Sequence, residues 1–184
     1  LQYPVNIKTP NAKLAQFISS QYGGPDGEIG ASMRYLSQRF TMPNRTTSAL
    51  LNDIGTEELS HLEMVSTIVH QLTRDLSMEE IEKSGFGPYY IDHTVGVWPQ
   101  AAGGVPFNAC EFQSKGDPIT DLFEDLAAEQ KARSTYDNIL RVVRNIPEIA
   151  DPIKFLRARE VVHFQSIWGS FVQPFRKNLD AKNF

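Results

Sequence analysis

The 184-residue chain has a single cysteine, Cys110, which excludes an intrachain disulfide framework and any four-cysteine zinc or iron centre within one chain. Synthesis in a reducing compartment such as the cytoplasm is the simplest reading. Long basic runs are also missing: 18 Lys/Arg against 22 Asp/Glu leave a net charge of −4. Nucleic acid is therefore not an expected partner, because phosphate binding needs a clustered positive footprint. No apolar stretch approaches the ~20 residues needed to span a bilayer. Leu1-Gln2-Tyr3-Pro4 has neither the basic nor the apolar region of a secretory leader, and the absence of an initiating methionine is read as loss of leading residues. No Gly-rich phosphate loop and no Gly-x-Ser-x-Gly elbow occurs, so nucleotide binding and serine hydrolysis have no support.

What is present is an ordinary globular composition, 41% apolar and 22% charged, in a length that suits one domain over residues 1–184. Gly and Pro divide it into long periodic segments. The first opens at Tyr22-Gly23-Gly24-Pro25 and runs to about Phe40, before Met42-Pro43-Asn44. The second runs from about Arg45 to Leu76. The third begins at Asp117-Pro118, an N-cap acid followed by proline at the first helical position, and ends before Pro147. The fourth runs from about Glu148 to Val172, with Pro174 just beyond. Between the second and third, Gly85, Gly87, Pro88, Gly96, Pro99, Gly103, Gly104 and Pro106 interrupt every possible helix. Residues 77–116 are thus expected to form one long crossover loop. The expected fold is all-α, a ferritin-like four-helix bundle with that crossover between its second and third helices.

Each segment carries a seam at helical spacing. The second has Leu51, Ile54, Glu58, His61, Val65, Ile68 and Leu72; the fourth has Ile149, Ile153, Leu156, Glu160, His163, Ile167 and Ser170. The third has Leu122, Asp125, Glu129, Ala132, Tyr136, Ile139 and Val143; the first offers Glu28, Ala31 and Tyr35. Buried carboxylates are costly unless they protonate, pair or bind a cation. Two helices contributing one Glu each (Glu28, Glu129) and two contributing Glu-x-x-His (Glu58/His61, Glu160/His163) match the recipe for a dinuclear carboxylate centre in a bundle. The bland alternative, solvated i,i+3 surface pairs, requires each seam to skip its central layer. Oxygen and imidazole donors without thiolate suit manganese or iron.

Other residues carry less. Tyr35 is read either as a phenol beside the metals or as a buried aromatic with its hydroxyl satisfied. Arg133 and Arg159 adjoin ligand-bearing turns, either as ion-pairing residues behind the ligands or as surface decoration. His70 lies off its helix's stripe and reads as a surface residue. His93 reads as loop structure rather than as a ligand. Cys110 has no basic neighbour to lower its pKa and reads as unreactive.

At these residues the sequence resembles the non-haem manganese catalases. The resembling segments are Tyr22-Gly23-Gly24-Pro25-Asp26-Gly27-Glu28, Asp53-Ile54-Gly55-Thr56-Glu57-Glu58-Leu59-Ser60-His61, Gly116-Asp117 through Ala128-Glu129-Gln130-Lys131-Ala132-Arg133, and Arg157-Ala158-Arg159-Glu160-Val161-Val162-His163. They span almost the whole chain, in the family's order and spacing. Within the family the resemblance is greatest to a short spore-coat member from endospore-forming bacteria.

The resemblance implies that Glu28 and His61 ligate one manganese, Glu129 and His163 the other, and that Glu58 bridges the two. It implies Glu160 as an acid/base over the cluster, where the generic di-iron pattern would make it a ligand, and Tyr35 as a phenol behind the ligands. The implied reaction is disproportionation of hydrogen peroxide to water and dioxygen as two manganese ions per chain alternate between Mn(II) and Mn(III). The implied assembly is a homo-oligomer, hexameric in the family, with other spore-coat proteins as further partners. Longer members carry a C-terminal segment that wraps neighbouring subunits, whereas this chain stops at Phe184. The competing readings are a di-iron ferroxidase or peroxidase and a structural coat protein whose metal site only braces the bundle. A rubrerythrin-type enzyme is excluded, because one cysteine cannot build its four-cysteine iron site.

Overall fold

A computed structural model describes residues 1–86 and 96–182, the last twelve of these as helix backbone only. His93 lies outside the described residues. Six α-helices are present among the described residues: α1 (Ala12–Gly23), α2 (Glu28–Gln38), α3 (Arg45–Thr73), α4 (Met78–Ser84), α5 (Pro118–Val143) and α6 (Pro147–Lys182). No strand occurs among them, only an isolated bridge between Gln100 and Pro106.

Local chemistry sets the helix starts. Asn11, Asn44 and Asp117 each place a side-chain oxygen on a backbone amide of the first turn, with Asp117 followed by Pro118. These caps satisfy donors that a helix N-terminus otherwise leaves free. The first bundle position is not one helix but two. The Gly23-Gly24-Pro25-Asp26-Gly27 break separates α1 from α2, and Glu28 becomes the first residue of α2.

Directions follow from cross-contacts. The Asn11 amide donates to the Leu72 carbonyl, and the Ser32 hydroxyl donates to the Gly55 carbonyl. The α1–α2 pair therefore runs antiparallel to α3. Contacts of Glu28 with Tyr136 and of Tyr35 with Glu129 make α2 antiparallel to α5 as well, so α3 and α5 run the same way. That parallel pair requires a crossover at the bundle's side. The crossover is fastened near its middle and at its end: Gly23 donates to the Gln100 carbonyl, and Asp121 accepts from the amides of Lys115 and Gly116.

Three expectations are corrected. Residues 77–116 do contain helix: Ser77 and Glu80 form a reciprocal capping box that supports α4, and Ala109–Glu111 makes one 3-10 turn. Such a box stabilises even a short helix by satisfying two orphan amides. The fourth helix does not stop at Val172 but continues past Pro174 to Lys182; one proline removes one amide donor without forbidding the turns around it. Finally, α1 occupies a stretch in which the sequence suggests no element, with Leu14, Ala15 and Ile18 buried on its inner face.

Two apolar clusters fill the bundle. One joins Ile18, Val65, Ile68, Leu72, Ile139, Val143, Ile153 and Leu156, among others. The second joins Ala31, Leu51, Ile54, Leu122, Leu126 and Ile167. Between the two clusters the inner face carries Glu58 and His61 on α3, Glu129 flanked by alanines on α5, and Glu160 and His163 on α6.

Candidate metal centre

Helical periodicity brings the polar layer together. On α3, Glu58 and His61 lie between Ile54 and Val65; on α6, Glu160 and His163 lie between Leu156 and Ile167. Glu28, Glu58, His61, Glu129, Glu160 and His163 are all buried, none more than 2% exposed. Donor atoms of Glu58, His61, Glu160 and His163 lie within 4.8 Å of one another.

Glu58 is central. Its Oε2 is 2.7 Å from His61 Nδ1 and its Oε1 is 2.9 Å from His163 Nδ1. Each imidazole then meets a second carboxylate of its own: His61 Nδ1 is 3.7 Å from Glu28 Oε2, and His163 Nδ1 is 3.6 Å from Glu129 Oε2. The two rings stack with centroids 5.4 Å apart. Tyr35 donates to Glu129 Oε1 at 2.5 Å, and Tyr136 donates to Glu28 Oε1. Glu28, Glu58, His61, Glu129, Glu160, His163 and Tyr35 therefore belong to one layer.

The electrostatics describe a site that holds protons when it holds no metal. Burial and the neighbouring Glu58 raise the Glu28 carboxyl to about 7. Burial raises Glu129 too, and it pushes Glu160 well above the usual carboxylate range, helped by Glu28, Glu58 and Glu129. Burial works against ionising Glu58, but hydrogen bonds from His163 and His61 outweigh it and hold that carboxyl low. Burial likewise disfavours the charged histidines, yet the carboxylates around them win; His163 is raised to about 11. Metals displace such protons, since ligation requires carboxylate and neutral imidazole.

The residues fit such metals. Glu129 Oε2 and Glu160 Oε1 are buried with no hydrogen-bond partner, a state that a bare protein core rarely tolerates. Carboxylate and imidazole donors converging from four helices suit a pair of hard or borderline cations.

Several residues that matter here were not singled out from the sequence. Tyr136 stands on the α5 seam, where it reads as core. Yet it is seven residues after Glu129, as Tyr35 is seven after Glu28, and that repeated interval was visible. The α2–α3 hairpin thus repeats in α5–α6 as Glu-x6-Tyr followed by Glu-x-x-His, a pseudo-two-fold relation. Glu57 lies behind the histidines, with Oε2 3.1 Å from His163 Nε2 and Oε1 3.5 Å from His61 Nε2. Its carboxyl is held below the ordinary range, first by His61 and also by Arg159 and His163. Arg159 grips it with Nε at 2.7 Å and Nη2 at 3.0 Å, which decides for the ion-pairing reading of Arg159. Arg133 instead bonds Gln130 and Asp137 on its own helix. His70 and Cys110 are exposed.

Arg34 is buried on α2 and lies 3.1 Å from Glu124 on α5. Beside Glu124, Asp125 is buried with both oxygens unpartnered and is raised well above its ordinary range, first by burial and then by Glu124. Asp125 was part of the α5 seam, but spacing alone could not tell it from a ligand.

Known proteins share this architecture. The profile described as manganese containing catalase matches residues 1–178. The chain is 48% identical to protein CotJC of Bacillus subtilis over 89% of this chain and 85% of that protein. It is 32% identical to a probable manganese catalase of Clostridium acetobutylicum, over 86% of this chain and 70% of the relative. The crystal structure of KatB, a manganese catalase from Anabaena PCC7120, superposes with a TM-score of 0.83 at 30% identity, covering 92% of this chain and 75% of that one. By its sequence, its ferritin-like fold and its buried layer of Glu and His, the chain belongs to the manganese-containing catalase family.

Proposed function

We propose that this chain is a dimanganese catalase, converting two hydrogen peroxides into two waters and dioxygen. In this reading Glu28 and His61 would hold one manganese and Glu129 and His163 the other, with Glu58 able to serve both. The observation that carries it is the geometry of Glu58. Its two oxygens face the Nδ1 atoms of two different histidines, and each histidine has a further carboxylate of its own. That makes two like half-sites joined by one carboxylate.

A manganese pair held there would supply a two-electron exchange with peroxide, avoiding one-electron radical products. The protein's own part is to hold and move protons. Glu160, kept neutral by burial, would give a proton to a peroxide oxygen and take one back, as a general acid and base of raised pKa does. Tyr35 and Tyr136 fix the orientation of Glu129 and Glu28 through their hydroxyls. The apolar layers above and below exclude bulk water and larger reductants.

Similarity to CotJC supports a place in the spore coat, and the family resemblance supports assembly as a homo-oligomer, a hexamer by that resemblance. The second reading is a coat component in which the metals only brace the bundle. Iron suits the same donors, so the metal bound by protein from its native source separates manganese from di-iron chemistry.

The test is oxygen evolution from hydrogen peroxide per bound manganese, on protein produced with added manganese. Rapid evolution that disappears in Glu58→Ala is the expected result. Protein carrying two manganese ions per chain without evolving oxygen rules out the catalase and leaves the bracing role.

A further inference from the structure

We infer that Glu57 is the positioning residue for both imidazoles of the metal centre at once, and that Arg159 holds it in that position. The inference rests on the reading of the cluster as a metal pair. Glu57 and Glu58 are consecutive on α3, so their side chains diverge by about a quarter turn around the helix. Between them they address both nitrogens of the same two rings. Glu58 meets Nδ1 of His61 and His163 at 2.7 and 2.9 Å. Glu57 lies 3.5 and 3.1 Å from Nε2 of the same rings, within ion-pair distance of each but with no formed hydrogen bond to either.

A neutral imidazole carries one N–H, and the partner of one nitrogen decides which nitrogen keeps the lone pair. A carboxylate accepts hydrogen bonds and donates none. Once metal is bound and both rings are neutral, Glu57 favours the hydrogen at Nε2 and so leaves each Nδ1 lone pair on the side of Glu28, Glu58 and Glu129. A histidine ligand generally gives its other N–H to a carboxylate, a backbone carbonyl or water; here one carboxylate lies against two such rings on two helices.

Arg159 explains how it can do so. The guanidinium fork contacts both Glu57 oxygens, Nε to Oε1 at 2.7 Å and Nη2 to Oε2 at 3.0 Å. Bidentate contact fixes the carboxylate plane, so neither oxygen can rotate away to serve a single ring. Positions 57 and 159 each precede the Glu of a Glu-x-x-His, and the pseudo-two-fold relation makes them equivalent. One is an acid and the other a base, so the pair forms across the α3–α6 contact and its carboxylate reaches both rings. A pair that merely tied α3 to α6 would not need to stand against either Nε2.

The experiment compares the full-length wild type with Glu57→Gln and Arg159→Gln. Manganese(II) binding is followed by the electron paramagnetic resonance of the free ion. Nitrogen-15 spectra of the four histidines are recorded on protein loaded with diamagnetic zinc. For Glu57→Gln the expected result is a loss of affinity of about 10–100-fold at both positions, with the two buried rings no longer uniformly protonated at Nε2. Arg159→Gln, which keeps the carboxylate but frees it, should lose less. If Glu57→Gln fails to fold, Glu57→Asp carries the test, since it keeps the charge but withdraws it by one methylene; weakened binding is expected there too. Wild-type affinity and unchanged ring spectra in a folded Glu57 variant, even with a lowered melting temperature, overturn the inference and leave a helix-bracing ion pair. A wild type that binds no metal overturns the metal reading itself, which is a separate outcome.

Discussion

Tyr35 and Tyr136 each donate a hydroxyl to the carboxylate of the opposite helix, so Glu129 is held from α2 and Glu28 from α5. Buried phenols of this kind are pushed well above their ordinary range, first by burial, and they remain donors at any working pH. Replacing Tyr136 by Phe leaves Glu28 Oε1 buried without its hydrogen-bond partner. Loss of a hydrogen bond to a buried acid costs about 1–3 kcal/mol, so the metal-free variant should melt below the wild type. The same change should weaken manganese binding in the half-site of Glu28 and His61 before that of Glu129 and His163. Stepwise manganese titration of Tyr136→Phe and Tyr35→Phe checks this, because the two variants should weaken opposite half-sites. Equal weakening of both half-sites in either variant contradicts the pairing.

Among the elements, the break between α1 and α2 does the most positioning. It ends α1, starts α2 at Glu28 and brings the crossover against the bundle. A Cβ at Gly23 would meet Gln100 N at 2.1 Å and Pro99 C at 2.2 Å. Both are backbone atoms of the crossover, so neither can yield as a flexible side chain would. Gly23→Ala is expected to push that stretch of crossover outward and to strain the Gly23–Gln100 hydrogen bond, at a cost of about 1–3 kcal/mol. For a chain of this size that is a fall in melting temperature of roughly 2–12 °C. Gly103→Ala is the control: nothing lies within 4 Å of its added Cβ, and its melting temperature should stay near the wild type.

At the scale of the whole molecule, the bundle is two apolar layers separated by a layer of acids and imidazoles, and pH should act on it in two opposite ways. Without metal, Glu28 favours the folded state in its neutral form. Its contribution is full below the ordinary carboxylate value and is lost as pH rises through about 7. His163, raised by its carboxylates, contributes below the ordinary imidazole value and loses this as pH climbs toward about 11. Metal-free protein should therefore lose stability steadily from mildly acid to alkaline pH. With manganese the sign reverses, because the metal must displace those same protons. The rise in melting temperature on adding manganese should be larger at about pH 8 than at about pH 6, as linkage requires of tighter binding. Melts in chelator and in excess manganese across that range measure both slopes, and loading in weak buffer should release protons.

Much of this was legible along the chain. The spacing of Leu51, Ile54, Glu58, His61, Val65, Ile68 and Leu72 is a local property, and all seven are buried on one face of α3. Asp117-Pro118 announced the start of α5 for equally local reasons. By contrast, α1 is only 12 residues long, and its inner face has meaning only where α3 and the crossover supply something to pack against. The Ser77–Glu80 cap was hidden among glycines and prolines that end helices elsewhere. Periodicity could place Glu57 and Arg159 one residue before their seams, but not facing one another. It could place Tyr136 on a stripe, but not against Glu28. Sequence alone determined which residues line each helix's inner face, because that depends on 3.6 residues per turn and on capping chemistry. Only the tertiary structure decided which helix meets which and at what register, and hence that one carboxylate faces two imidazoles. Those choices depend on packing between segments far apart along the chain, as Glu57 and Arg159 are.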